Sequence, residues 1–278
     1  MDRTKQQIRT PISYYGGKQA LLSHTLPLFP SHIVYTETFF GGGSEFWAKV
    51  PAPNETINDK LDIVINFYQI LKTRFRDLKK LIDTSLISRT MHRQAQYIIT
   101  NKKFADPVHL AWAFWLCSNF SFSNKIGGGI KFSNRCDTVP PVTIKRKKAE
   151  FTELLVSRIE NAHIECNDAL IILNSRNIPE AFHRLDPPYM NADQGHYAGY
   201  TMEDYTKLLK WCAEDCTGKF LLSNYNSDIL TEFISVHGWK KKEITVRLQA
   251  KGTNMKLKNK TEVLVWNYDE TEGQIKMF

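Results

Sequence analysis

Four consecutive residues, Asp186-Pro187-Pro188-Tyr189, put a carboxylate, a stiffened backbone and an aromatic face side by side. They follow directly on the strand candidate 182–185. Ligand groups in open α/β sheets gather beyond the carboxyl ends of strands, so the tetrapeptide stands where chemistry is done. An amine on an aromatic base is a poor nucleophile, because its lone pair is delocalised into the ring. The Asp186 carboxylate can accept one of its N–H groups. The Pro187 carbonyl, whose residue Pro188 restricts to an extended conformation, can accept the other. Together they pull the nitrogen toward tetrahedral geometry. Tyr189 offers a ring face to a base lifted out of its stack. Such chemistry requires neither a metal nor a covalent intermediate.

Two further clusters suit a small ligand. A strand ending at Glu37 turns through Gly41-Gly42-Gly43, where absent side chains let backbone amides approach a ligand. The dinucleotide fingerprint is not met, because Phe46 stands where its third glycine belongs. Asp59, about twenty residues after the glycines begin, is placed to accept hydrogen bonds from ribose hydroxyls. Nearer the N-terminus, Ser13-Tyr14-Tyr15-Gly16-Gly17-Lys18 joins rings, a glycine pair and a cation in one turn.

These groups need a sheet to hold them. The short apolar stretch 33–37 and a second candidate at 55–58 predict two strands. The second leads into a helix with apolar residues at Leu61, Val64, Ile65, Tyr68 and Leu71, capped by Asn58 or Asp59. From about 76 to 144 the pattern turns helical (88–100 and 107–118). It continues into aromatics alternating about a triple glycine at 120–132, a hairpin or ordered loop, and closes at Pro140-Pro141. Strand and helix then alternate through 162–166, 169–174, 182–185, 201–214, 220–223, 228–236, 245–248 and 263–266. The expected fold is α/β: a mainly parallel sheet wrapped by helices, with a late antiparallel pair and an insertion.

The order of the motifs carries a resemblance. Tyr-Gly-Gly-Lys, the glycine turn, Asp59, an insertion and then Asp-Pro-Pro-Tyr resemble the Dam-like adenine-N6 DNA methyltransferases, the D12 class with the α motif order. The resemblance spans almost the whole chain. It implies a Rossmann-like sheet that uses S-adenosylmethionine, with helices on both faces and a mainly helical inserted target-recognition domain. Residues 1–75 and 145–278 would form the catalytic domain and 76–144 the insertion. The implied donor-binding residues are Tyr15, Lys18, Glu37, Phe39, Gly41, Gly43 and Asp59, with Asp168 near both the cofactor and the target base. Asp186 to Tyr189 would be catalytic, and Ser223 and Asn224 would help line the base pocket. Thr38 stands where the family commonly has proline, a departure that loosens the turn without removing a ligand group.

The resemblance implies methyl transfer to the N6 amine of a flipped adenine in double-stranded DNA, in a restriction-modification setting. Lys125, Lys131 and Arg135 would then read base edges. Lys145, Arg146 and the lysines that follow them would touch phosphates. Two other readings stay open: a catalytically silent nucleic-acid-binding protein, and amine methylation of cytosine N4 or of adenine in RNA. Cytosine carbon methylation is excluded, because no proline is followed by cysteine.

Composition agrees with an anionic partner. The 278 residues carry a net charge of +8, with basic runs at 145–148 and 240–242 and more lysines at 251, 256, 258 and 260. Apolar runs such as 110–117 fall far short of the roughly 20 residues that cross a membrane. The polar stretch 1–10 has no apolar core of a signal peptide, so a cytoplasmic protein, working as a monomer, is expected. Five cysteines in a reducing compartment imply buried thiols rather than a disulfide framework or a metal site.

Overall fold

The computed structural model describes residues 8–14, 16–132, 140–189, 199–247 and 259–269. Seven strands form one sheet: β1 (Val34–Glu37), β2 (Asn54–Asn58), β3 (Ala162–Glu165), β4 (Ala181–Leu185), β5 (Lys219–Tyr225), β6 (Lys240–Arg247) and β7 (Asn259–Trp266). Their order is β3-β2-β1-β4-β5-β7-β6. The first five run parallel, and β7 lies antiparallel to both β5 and β6. From β1 the chain steps outward to β2 and β3, and from β4 it steps the other way. The crevice between β1 and β4 is therefore the topological switch point, where open α/β sheets bind ligands.

Eleven helices are described: α1 (Leu22–Thr25), α2 (Ser44–Ala48), α3 (Asp62–Thr73), α4 (Phe75–Thr84), α5 (Arg89–Thr100), α6 (Pro107–Phe120), α7 (Pro140–Glu150), α8 (Glu153–Ile159), α9 (Ala169–Ser175), α10 (Met202–Lys210) and α11 (Asp228–His237). α3 buries the stripe Val64, Phe67, Tyr68 and Leu71, as its period requires. Neither Asn58 nor Asp59 is its N-cap; Leu61 is, and the Asp59 carboxylate accepts from the Leu61 amide at 2.9 Å. α6 is apolar all round and almost wholly buried, starting at Pro107 behind an Asp106 side chain that accepts from two backbone amides. Its Phe114 and Trp115 share one core with Phe67 of α3 and with Phe151. The described helices of the segment 76–144 thus pack into the core of the sheet domain itself.

Two elements differ from their sequence patterns. β6 begins five residues before the apolar pattern, at Lys240, and takes in the triple lysine. As an edge strand it is held by backbone pairing with β7, so its side chains need not alternate, and edge lysines discourage unwanted pairing. The aromatic segment 120–132 is a tight loop closed by one bridge, Ser121 to Ile130, rather than a regular hairpin.

Buried parallel strands are usually near-continuous apolar runs, yet here several charges lie inside. At the foot of β2, Glu55 accepts from Lys49 Nζ at 2.5 Å and from Arg158 Nη1 at 2.5 Å. The Arg158 guanidinium also donates to the Phe46 carbonyl and lies 3.6 Å from the centre of the Phe46 ring. Burial pushes the Lys49 ammonium down to about 8, against the pull of Glu55. Arg158→Met should leave Glu55 half-neutralised in the interior and lower stability by about 3–5 kcal/mol. Denaturant unfolding checks this; an unchanged midpoint would show that the network holds nothing together.

Candidate active site

The register of β1 against β4 sets Glu37 beside Arg184, two residues before Asp186 on the same face. Arg184 has no exposed surface. Its Nη2 donates to Glu45 Oε1 at 2.9 Å and to Ser223 Oγ at 2.8 Å, and its Nη1 donates to the Leu185 carbonyl at 2.7 Å. Burial alone would make the guanidinium easier to deprotonate. The carboxylates of Glu45, Asp186 and Glu37 outweigh it and hold the charge in place.

Beside this ion lies a polar pocket that opens to solvent. It is lined by Gly16, Gly17, Lys18, Glu37, Phe39, the glycines 41–43, Glu45 and Asp186, among others. Lys18, Glu37, Phe39, Gly41 and Gly43, expected at the donor, therefore share one wall system with Asp186, expected to be catalytic. Tyr15 lies outside the described residues. Burial first, then the charge of Glu45, raises the Glu37 carboxyl to about 8, so it is largely protonated at neutral pH. It accepts a hydrogen bond from Tyr35 at 2.7 Å.

The glycine turn is held from every side. The Gly41 amide donates to Asp59 Oδ2 at 2.8 Å, its carbonyl accepts from Tyr68 at 2.8 Å, and the Gly42 carbonyl accepts from Thr10 at 2.6 Å. The Gly43 amide donates to the Phe40 carbonyl at 2.7 Å. The amides of Gly41 and Gly43 are thus engaged within the fold, and what they present to a ligand is bare backbone surface rather than donors. Asp59 is buried with both oxygens on backbone amides, so it braces the turn instead of standing open to a ribose. Burial raises its carboxyl to about 6. Asp168 does not line the pocket: it caps α9, accepts from the Leu170 amide at 3.0 Å and meets Lys60 at 3.6 Å.

The tetrapeptide leaves β4 with Pro187 and Pro188 buried and Asp186 and Tyr189 half-buried. Lys18 reaches Asp186 Oδ1 at 3.2 Å and lies 4.4 Å from the centre of the Tyr189 ring. Lys18 therefore touches the Asp-Pro-Pro-Tyr tetrapeptide as well as the pocket. Two residues absent from the sequence reading complete the cluster. Tyr225 meets the Tyr189 ring edge-on at 4.4 Å, and Glu262 lies 3.3 Å from the Tyr189 hydroxyl. Glu262 was signalled by a lone acid inside the apolar strand β7. Ser223 and Asn224 are consecutive on β5 and face opposite sides of the sheet, so they cannot line one pocket together. Ser223 instead clamps Arg184, and Asn224 accepts from the Tyr225 amide at 2.7 Å.

The basic residues divide. Lys131 Nζ donates to the Asn119 carbonyl at 2.8 Å and to Asn124, tying the 120–132 loop together. Lys125 is half-buried in the same loop, and Arg135 falls outside the described residues. On α7, Lys145 and Arg146 are exposed. Lys147 is buried on the Thr10 carbonyl, and Lys148 donates to the carbonyls of Asp83 and Ser85. Only the first two of that run face water, because the helix turns the others inward. Of the cysteines, Cys117 and Cys212 are buried thiols, while Cys166 is exposed.

A doubly wound sheet with its pocket at the switch point and Asp-Pro-Pro-Tyr on the pocket rim is a methyltransferase-type α/β protein. Residues 14–248 match the family described as D12 class N6 adenine-specific DNA methyltransferase, and the chain belongs to that family. The modification methylase StsI of Streptococcus sanguinis is 23% identical over 297 residues, covering 96% of this chain and 44% of that protein. The chain thus spans less than half the length of that relative. The solved structure of a precorrin 8w decarboxylase from Methanobacterium thermoautotrophicum superposes with a TM-score of 0.38 at 10% identity, over 97% of this chain and 100% of that one.

Gly43 tests how tightly the turn is built. It has φ +60°, and an added Cβ would lie 2.3 Å from the Phe40 ring, whereas Gly16, at φ +75°, has nothing within 4 Å. Gly43→Ala should lose clearly more than the roughly 1–2 kcal/mol of left-handed strain expected for Gly16→Ala. Equal shifts in melting temperature would mean that Phe40 gives way freely.

Proposed function

We propose that this protein transfers a methyl group from S-adenosylmethionine to the N6 amine of adenine in double-stranded DNA, acting on a base turned out of the helix. Family membership supports the class of reaction, and the name of the streptococcal relative agrees with a modification role. The observation that carries the reading is that Asp186 and the glycine turn line one pocket at the switch point.

The pocket fits such a donor. Gly41 and Gly43 leave backbone bare, and a side chain at either would run into the rings of Tyr14 or Phe40. When bound, the donor supplies a methyl group activated on a positively charged sulfur. Glu37 and Glu45 on the pocket wall favour a positive charge there. Asp186 and the Pro187 carbonyl accept the two amine hydrogens of the base, which localises the lone pair on nitrogen. Tyr189 holds the base by its face. Burial among the carboxylates of Asp186 and Glu262 raises the Tyr189 hydroxyl, so it stays protonated and remains a hydrogen-bond donor. Segment 76–144 would read the site, with Lys145 and Arg146 exposed for phosphate contact.

The decisive experiment is incubation with mixed-sequence duplex DNA and S-adenosylmethionine, followed by nucleoside analysis and mapping of N6-methyladenine. Asp186→Ala should slow transfer roughly a hundredfold or more while donor affinity stays near normal. Near-normal turnover by that variant would remove Asp186 from the mechanism.

Donor binding should also depend on pH. Glu37 ionises at about 8 in the ligand-free pocket, and a bound cation favours the ionised carboxylate. Below that pH, binding must expel its proton, so affinity rises as pH climbs from 6 toward 8. Calorimetric titration of the wild type and of Glu37→Gln checks the sign: the rise should be missing from the variant. The same slope in both proteins would assign the proton elsewhere.

A further inference from the structure

Two hydrogen-bond donors at the tetrapeptide each have a choice of carboxylates. The Tyr189 hydroxyl lies 3.1 Å from Asp186 Oδ1 and 3.3 Å from Glu262 Oε2. Lys18 Nζ lies 3.2 Å from that same Asp186 oxygen and 3.8 Å from that same Glu262 oxygen. It also donates to the Gly16 carbonyl at 3.1 Å, and it sits over the Tyr189 ring. Both donors therefore converge on one oxygen of the carboxylate that the proposed mechanism assigns to the target amine. The ammonium also covers the ring on which the base would stack.

A base that approaches Asp186 through Oδ1 needs these donors to let go. A buried ammonium or hydroxyl left without an acceptor is costly, so their release needs somewhere to go. Glu262 is that place. Its position is set by the sheet, since β7 pairs with both β5 and β6 at this residue, opposite Tyr225 and Ile244. Its side chain is 14% exposed, close to Lys18 at 7%. Burial and the charge of Asp186 keep the Glu262 carboxyl above its ordinary range, with Lys18 opposing them.

We propose that Glu262 is a positioning residue that takes over the Lys18 ammonium and the Tyr189 hydroxyl as the target base arrives, freeing Asp186 Oδ1 and the ring face together. The proposal rests on the methyl-transfer reading above. Lys18 swings between two carboxylates, and the site keeps its cation throughout.

Glu262→Gln keeps the shape and an acceptor for Tyr189 but loses the charge that would receive Lys18. The test uses duplex DNA with the mapped site, bearing 2-aminopurine in place of the target adenine to report the base leaving its stack. Unmodified duplex gives the single-turnover rate. Glu262→Gln should weaken the emission rise and slow single turnover roughly tenfold or more, with S-adenosylmethionine affinity and melting temperature unchanged. In a Lys18→Met background there is no ammonium to transfer, so adding Glu262→Gln should then change the rate by less than about twofold. The same penalty in both backgrounds, or no penalty in the wild type, overturns the proposal. If the wild type methylates no DNA at all, the functional reading falls first, and this inference with it.

Discussion

A guanidinium with no access to water lies beneath the site, and much of the surrounding structure is arranged to satisfy it. Isolated in the interior, the Arg184 charge would cost many kilocalories, so every direction around it must supply an acceptor. Glu45 comes from α2, Ser223 from β5, and the carbonyls of Leu185 and Leu221 from the two strands themselves. One ion thus fastens the helix after the glycine turn to the strand that carries Asp186. The pocket between them has its width set by that contact.

The same crowding sets the electrostatics. Glu37, Glu45, Asp186 and Glu262 outnumber Arg184 and Lys18 in a confined, poorly solvated space. Glu37, buried beside Glu45, relieves part of the excess by keeping its proton. A pocket in this condition favours a cationic ligand. Lys18 serves both halves of the site, because its turn lines the pocket while its ammonium reaches the tetrapeptide.

The helical side is linked to this centre at the end of α6. Asn119, near the end of α6, accepts from the Ser13 amide and hydroxyl through its side chain, and from Lys131 through its carbonyl. The turn carrying Lys18 and the 120–132 loop are therefore anchored on the same amino acid. Segment 76–144 reads as an insertion along the chain, yet α6 is buried in the core of the sheet domain. Its helices act as part of the scaffold of the site as well as a surface beside it.

Much was legible in the sequence because it depends on neighbours along the chain. The strands, the helices α5 and α6, the Gly41-Gly43 turn and the Asp-Pro-Pro-Tyr rim all follow from local pattern and backbone restriction. Period-two alternation also held the fact that Ser223 and Asn224 face opposite ways. What only the tertiary structure decided is which charges meet. Lys18, Asp186 and Glu262 lie far apart in the chain, and the fold brings both carboxylates within reach of the one ammonium. Lys131, Lys147 and Asp59 look from sequence like groups for a ligand, but folding turns each onto a nearby backbone carbonyl or amide. The physical reason is that a buried charge must be neutralised or hydrogen-bonded by whatever the fold places within about 3 Å. That partner is set by strand order and helix packing, which no local window of sequence contains.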